Sequence, residues 1–257
     1  MKQKDKNLLA VTIIIFSHRA DKRFKQALKS SQFAKEILVF DYQSQNNWTE
    51  LKKNFHFKLI NKDKKISNFA KARNQALLKS KFDWVFFLDS DEIIESDSIN
   101  QIRKIIKNND YNAASIIRKD YFHNQELKWG ETANKRSVRL LKKYKVQFKR
   151  SVHEVAKIKG KIKKSKIVLH HHAHNDVSEF LNKINFYSQL EAEFRQLSKV
   201  QSKLKIILEM LFYPSAKFIL NYFLKLGILD GFRGLIYAML MSIHSLNIRV
   251  MLYEKNT

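Results

Sequence analysis

The chain has 257 residues, with 49 Lys plus Arg against 24 Asp plus Glu, and its formal charge of +25 suits nucleic acid, an anionic membrane surface or a phosphorylated substrate. A content of 44% hydrophobic and 12% aromatic residues supports a core, in one domain or two joined lobes, and excludes a disordered chain. The absence of Cys excludes a disulfide framework, a Cys-ligated zinc site and a thiol nucleophile.

Residues 8–16, LLAVTIIIF, follow Lys2, Lys4 and Lys6 in the order of a signal peptide, but SHRADKR comes next and offers no small-residue cleavage site. Length and β-branched content predict a buried parallel strand instead. Further apolar runs, EILVFD ending at Asp41, FHFKLI at 55–60 and DWVFFLD ending at Asp89, read as strands. Helical patterns separate them at 21–33, 48–54 and 67–80. Alternation of this kind predicts a parallel α/β sheet, with ligands at the carboxyl ends of its strands. Those ends carry Ser17, Asp41 and Asp89-Ser90-Asp91. The five glycines all lie at or beyond Gly130, so this half has neither a dinucleotide fingerprint nor a Walker-type phosphate loop.

A helix is expected at 96–109, and residues 112–170 read as short strands with polar turns. Helical periodicity returns over 176–198, 202–212, 215–226 and 232–252, with Pro214 predicted to break one run from the next. The longest charge-free run, Gly234–Ile248, has 15 residues, fewer than the roughly 20 a spanning helix needs, so no transmembrane chain is predicted. The apolar faces of this tail suit a bilayer surface, the sheet or another subunit.

Asp89-Ser90-Asp91-Glu92 brings carboxylates to a sheet edge, where oxygen ligands suit a hard cation. Mg²⁺ or Mn²⁺ typically takes one or two carboxylates and completes its shell on substrate phosphates. Such an ion supplies the phosphate neutralisation that the missing glycines do not. The four histidines His170, His171, His172 and His174 lack paired downstream ligands for an all-protein zinc site, and one of them completing a Mg²⁺ or Mn²⁺ site is the better reading. On a strand, His171 faces opposite to the other three.

NFAKARNQAL (68–77) and FDWVFFLDSDEII (82–94) resemble the family 2 glycosyltransferases of GT-A fold, close to bacterial enzymes that add sugars to lipopolysaccharide core or related glycolipids. SVRLLKK (137–143), SVHEVAKIKGKI (151–162) and HHAHNDVSEFLNKINFYS (171–188) extend the similarity, and LKLGILDGFRGLIYAML (224–240) resembles the helical tail of such enzymes. The resemblance implies a Rossmann-like α/β fold with a mixed sheet. It also implies inverting transfer from a nucleotide sugar, usually a uridine diphosphate sugar. By position, Ser17 and Asp41 would meet base and ribose, Arg73 would support the nucleotide site, and Asp89 would lie near ribose or metal. Asp91 would be a metal ligand, and His171 would help bind metal or diphosphate. The chain departs from the family at Asp41-Tyr42-Gln43-Ser44-Gln45-Asn46 and at His18-Arg19-Ala20, where a DSGSTD-like turn and an N-E pair are usual.

An inverting enzyme needs a carboxylate on the acceptor side as general base. Glu154 fits by family position and is the one acid among 14 Lys or Arg between Lys135 and Lys166. A structural salt bridge is its bland alternative, and Asp120 and Glu131 are reserves. His153 would orient it, bind acceptor or simply pack, and Trp129 would stack on a sugar ring or fill a core. The expected organisation is a nucleotide-sugar lobe over 1–115, an acceptor lobe over 116–190 and a helical tail over 191–257. The expected enzyme works with Mg²⁺ or Mn²⁺ at the cytoplasmic face of a membrane on an anionic glycolipid or glycan. A homo-oligomer and a peripheral membrane contact are both open for the tail. A basic nucleic-acid-binding protein and a catalytically silent scaffold are the competing classes, but no nucleic-acid motif supports the former.

Overall fold

Leu9–Ser17 forms strand β1, and its side-chain parity explains its composition. Val11, Ile13 and Ile15 share a core with Phe24 and Leu28 of α1 (Lys22–Ser30) and with Ile102 and Ile105 of α4 (Ser98–Lys107). Ile14 belongs to the opposite layer, with Ala70, Ala76 and Leu77 of α3 (Phe69–Lys79). A strand covered by helices on both faces reads as a continuous apolar run and not as an alternation. In the computed structural model, residues 8–17, 20–42, 47–63, 66, 68–108, 110–150, 154–174, 176–198 and 202–256 are described.

β2 (Ala34–Tyr42) and β4 (Trp84–Asp89) flank β1 in parallel, and β3 (Lys58–Lys62) runs parallel to β2, with the short α2 (Thr49–Asn54) between. The remaining strands are β5 (Glu92–Ile94), β6 (Ala113–Phe122), β7 (Gln125–Leu127), β8 (Arg136–Lys142) and β11 (Ile162–His174). Among the described residues they complete a nine-stranded mixed sheet of order β3-β2-β1-β4-β8-β6-β11-β5, with β7 beside β6. β8 is antiparallel to β4 and β6, and β5 is antiparallel to β11. A separate hairpin joins β9 (Val146–Lys149) to β10 (Val155–Ile158). Side-chain caps fix two helix starts near the site: Asp21 accepts from the Phe24 N–H at 3.0 Å and Asn68 from the Lys71 N–H at 2.8 Å. Such caps contribute about 1 kcal/mol each.

The chain forms two compact units, each discontinuous in sequence. The first is Met1–Arg118 with Arg136–His171, and the second is Lys119–Lys135 with His172–Thr257. This division differs from the consecutive segments read off the sequence because β8 pairs with β4, returning residues 136–142 to the parallel core.

In the second unit, α5 (Val177–Ser198), α6 (Lys203–Ile219) and α7 (Gly231–Lys255) pack together, with Phe122, Leu127, Phe180, Ile184 and Leu240 forming one core cluster. Pro214 does not end a helix as predicted; it lies inside α6. The helix continues to Ile219, with Ser242 of α7 donating to the Pro214 carbonyl at 2.6 Å, and it changes to a π turn at Leu220–Leu224. Gly227–Lys255 is long and apolar enough to cross a membrane by length and composition alone, a broader span than the charge-free run counted from sequence.

Candidate active site

Three parallel strands end level with one another. Ser17 of β1 is paired in register with Asp41 of β2, and Phe16 with Asp89 of β4. The expected site residues Ser17, Asp41 and Asp89 are thereby brought to one sheet edge, as the topology of parallel sheets requires. Ser17 and Asp41 are buried, and the Asp41 carboxylate accepts the Trp48 indole N–H at 2.8 Å. Residues 18–19 and 43–46, where the sequence departs from the family pattern, lie outside the described residues, as does His153.

Arg73 enters from α3. Its guanidinium lies 4.7 Å from the Phe87 ring centroid, with Phe16 and Phe148 also within 6 Å. From this aromatic seat its Nε donates to Glu154 Oε1 at 2.7 Å, and Nη2 lies 3.8 Å from Asp89 Oδ1. Glu154 stands just before β10, so one arginine links the strand-end carboxylate to the expected base. The next residue, Asn74, clips the same hairpin. Its Nδ2 donates to the Phe148 carbonyl and its Oδ1 accepts the Phe148 N–H, both at 2.9 Å.

Two residues to which no role was assigned from sequence complete the charge network. Arg139 of β8 donates through Nη2 to Asp89 Oδ2 and to Glu92 Oε1, each at 2.7 Å. Glu92 is fully buried, and its Oε2 accepts the Asp89 backbone N–H at 3.0 Å. Burial alone would raise the Asp89 carboxyl, but Arg139 and Arg73 outweigh it and hold the group well below the usual carboxylate range. Glu92 is raised by burial, with Asp89 adding to the rise and Arg139 opposing it. For Arg139, burial lowers, yet Asp89 and Glu92 raise it further, so it stays charged. Arg139 was visible in the SVRLLKK segment, but its partners lie 50 and 47 residues away in sequence.

Asp91 and His171 also come together: Asp91 Oδ1 is 3.6 Å from His171 Nε2, both side chains being partly buried. β11 pairs antiparallel with β5, placing His171 opposite Glu92. The neighbouring histidines turn elsewhere, His170 toward Glu95 at 3.5 Å and His172 onto the Tyr121 ring. No group of three or more His, Cys, Asp or Glu side chains suited to a metal occurs among the described residues. A carboxylate beside an imidazole suits a divalent ion that draws its other ligands from substrate phosphates and water. Trp129 belongs to the second unit, 39% exposed, with its backbone N–H donating to Asp230 Oδ2 at 2.9 Å.

Residues 12–164 match glycosyl transferase family 2, more than half of the chain, and the matched stretch contains Ser17, Asp41, Arg73, Asp89, Asp91, Glu92, Arg139 and Glu154 but not His171. The chain belongs to this family. Its mixed sheet with flanking helices is the GT-A fold of family 2 glycosyltransferases. Among solved structures it is similar to S. aureus TarS. TarS 1–349 in complex with UDP-GlcNAc aligns at 18% identity and a TM-score of 0.36, over 44% of this chain and 34% of that one. TarS itself aligns at 12% and 0.43, over 69% and 39%. A further TarS 1–349 structure aligns at 12% and 0.44, over 97% and 92%. In the first two alignments the chain thus spans well under half of its neighbour's length. No curated protein matches it.

Proposed function

We propose that this family 2 glycosyltransferase is an inverting enzyme that moves a sugar from a nucleotide diphosphate sugar, a uridine diphosphate sugar by family habit, to an anionic lipid-linked or surface-glycan acceptor such as lipopolysaccharide core. It would act at the cytoplasmic face of a cell membrane. The observation that carries the reading is the meeting of Arg73 with both Glu154 and Asp89, beside Asp91 and His171, at the carboxyl ends of the parallel strands.

Glu154 takes the proton of the acceptor hydroxyl as that oxygen attacks the anomeric carbon. The bond from that carbon to the diphosphate breaks on the opposite face, and the nucleoside diphosphate leaves with the electron pair. Arg73, fixed by its aromatic seat, orients the Glu154 carboxylate. Ser17 and Asp41 hold the base and ribose. Arg139 and Glu92 keep Asp89 in place on the donor side. Asp91 and His171 would hold Mg²⁺ or Mn²⁺, which when bound neutralises charge on the departing diphosphate. Trp129 and His153 are assigned to the acceptor.

An anionic acceptor accords with the hairpin that follows. Lys149 and Lys157 are exposed, whereas Phe148 and Ala156 turn into the core layer that contains Phe87. Between Lys135 and Lys166 the net charge is 14 − 1 = +13, about half of the whole chain's excess. In a transfer assay with a panel of nucleotide sugars, Glu154→Gln is expected to reduce turnover by about 10²–10⁴-fold while circular dichroism shows the chain still folded. Full activity in that variant overturns the mechanism.

A further inference from the structure

The second unit carries an apolar surface that its own packing leaves uncovered. α6 fully buries only Ile206, while Leu204, Leu208 and Leu211, spaced four and three residues apart on one helix side, are exposed. The π turn and the start of α7 extend the band: Phe223 is 51%, Leu224 71% and Phe232 75% exposed. Single exposed apolar residues are ordinary, but a run of this extent marks an interaction surface.

Charge decides what covers it. From Lys203 to Arg233 there are five basic and two acidic residues. Both acids are engaged within the unit. Glu209 lies 3.4 Å from Arg249 Nε and 3.8 Å from Lys205 Nζ, and Asp230 accepts the backbone N–H groups of Lys128 and Trp129. Lys203, Lys205 and Lys225 are exposed among the leucines and phenylalanines. A second copy of this chain, itself of charge +25, would bring the same cations against one another. An anionic bilayer meets both features, since its headgroups take the cations and its acyl boundary takes the apolar side chains.

We propose that the second unit docks peripherally on an anionic lipid bilayer through the exposed side of α6 and the Leu220–Phe232 stretch. The proposal rests on the membrane placement given above and names its surface; it does not rest on glycosyl transfer. The docking is in-plane. The inner side of α7 buries Ala238, Leu240, Ile248 and Leu252 within the unit, and its Arg249 is buried beside Glu209 and over the Tyr213 ring. Threading α7 alone through a bilayer would strip Arg249 of those partners.

The test is co-sedimentation of the full chain with phosphatidylglycerol-containing and with pure phosphatidylcholine vesicles. Binding to the anionic vesicles only, released by added salt, is expected. Phe223→Glu combined with Phe232→Glu should lower the partition at least about tenfold, and Lys225→Glu by about fivefold per charge removed. Helical circular dichroism and nucleotide-sugar binding should be unchanged in all of these variants. Equal binding to neutral vesicles, retention by the double phenylalanine variant, or release by detergent alone overturns the proposal. So does a vesicle-independent dimer that the same variant dissociates, which would give the surface to a second copy. Vesicle binding without any nucleotide-sugar binding leaves the docking standing and overturns only the enzymatic reading.

Discussion

Arg139 is 8% exposed and serves two carboxylates at once, one of them fully buried. Removing one partner of a buried pair leaves an uncompensated charge, which costs more than the pair itself contributes. Arg139→Met is therefore expected to lower stability by about 3–5 kcal/mol in urea unfolding, with Glu92→Gln in the same background recovering part of the loss. The acid dependence has a definite sign. Asp89 titrates below its unfolded value, so its ion pairs stabilise the fold above the ordinary carboxylate range, and that contribution falls as pH drops below it. Glu92 acts oppositely: its raised value favours the fold below the ordinary range and is lost as pH rises through the folded value. Asp89→Asn should thus destabilise more at pH 6 than near pH 2, in denaturant midpoints compared between the two. Solvent reaches 37% of the Asp89 side chain and reduces the size of the effect, not its direction. Asp89 and Asp91 were legible in the sequence because a strand delivers them in one short run, and Arg73 and Glu154 through the family resemblance. The parts of Arg139 and Glu92 and the pairings themselves were not, since Arg73–Glu154 and Arg139–Asp89 are contacts 81 and 50 residues apart that only the sheet order creates.

At the scale of elements, the Ala72-Arg73-Asn74 triplet of α3 has a physical account. Arg73 reaches Glu154 beside β10, and Asn74 makes a reciprocal pair with Phe148 of β9, so one helical turn ties down both strands of the hairpin. Asn74→Ala should cost about 1–3 kcal/mol, speed amide exchange across Val146–Lys149 and Val155–Ile158, and lower turnover through misplacement of Glu154. Unchanged exchange in the hairpin would contradict this role. In the second unit, a Cβ on Gly234 would stand 1.9 Å from the Gly227 carbonyl oxygen, whereas one on Gly231 meets nothing within 4 Å. Gly234→Ala is expected to lower the melting temperature more than Gly231→Ala, although Gly231 has a positive φ of 62°. The alternation of strands and helices up to α4 was legible because each element is set by a local pattern. Pro214 was misread for the complementary reason. Its penalty is local, but the helix around it is held by α7, whose contact no local pattern shows.

At the scale of the molecule, the proposed function has a first half without glycine rely on a carboxylate edge that would hold a metal, where glycine loops would otherwise cradle phosphate. The +25 charge divides between two tasks in this account. The larger share surrounds Glu154 and its hairpin, for an anionic acceptor, and a smaller share rims the apolar side of α6, for a lipid surface. The alternation of strands and helices was sufficient to read a parallel α/β sheet, and the GT-A fold was read from the resemblance of segments such as FDWVFFLDSDEII to family 2 glycosyltransferases. The two discontinuous units were not legible, because β8 returns to the first unit through pairing with β4. The central claim is that Asp91 and His171 hold a divalent ion together with the donor's diphosphate. The direct measurement is the thermal shift of the wild-type chain and of Asp91→Ala with a panel of nucleotide sugars, with and without Mn²⁺. The account predicts a Mn²⁺-dependent rise in melting temperature with at least one nucleotide sugar, absent in Asp91→Ala. A shift of equal size without Mn²⁺ or in the variant, or no shift with any donor, would contradict it.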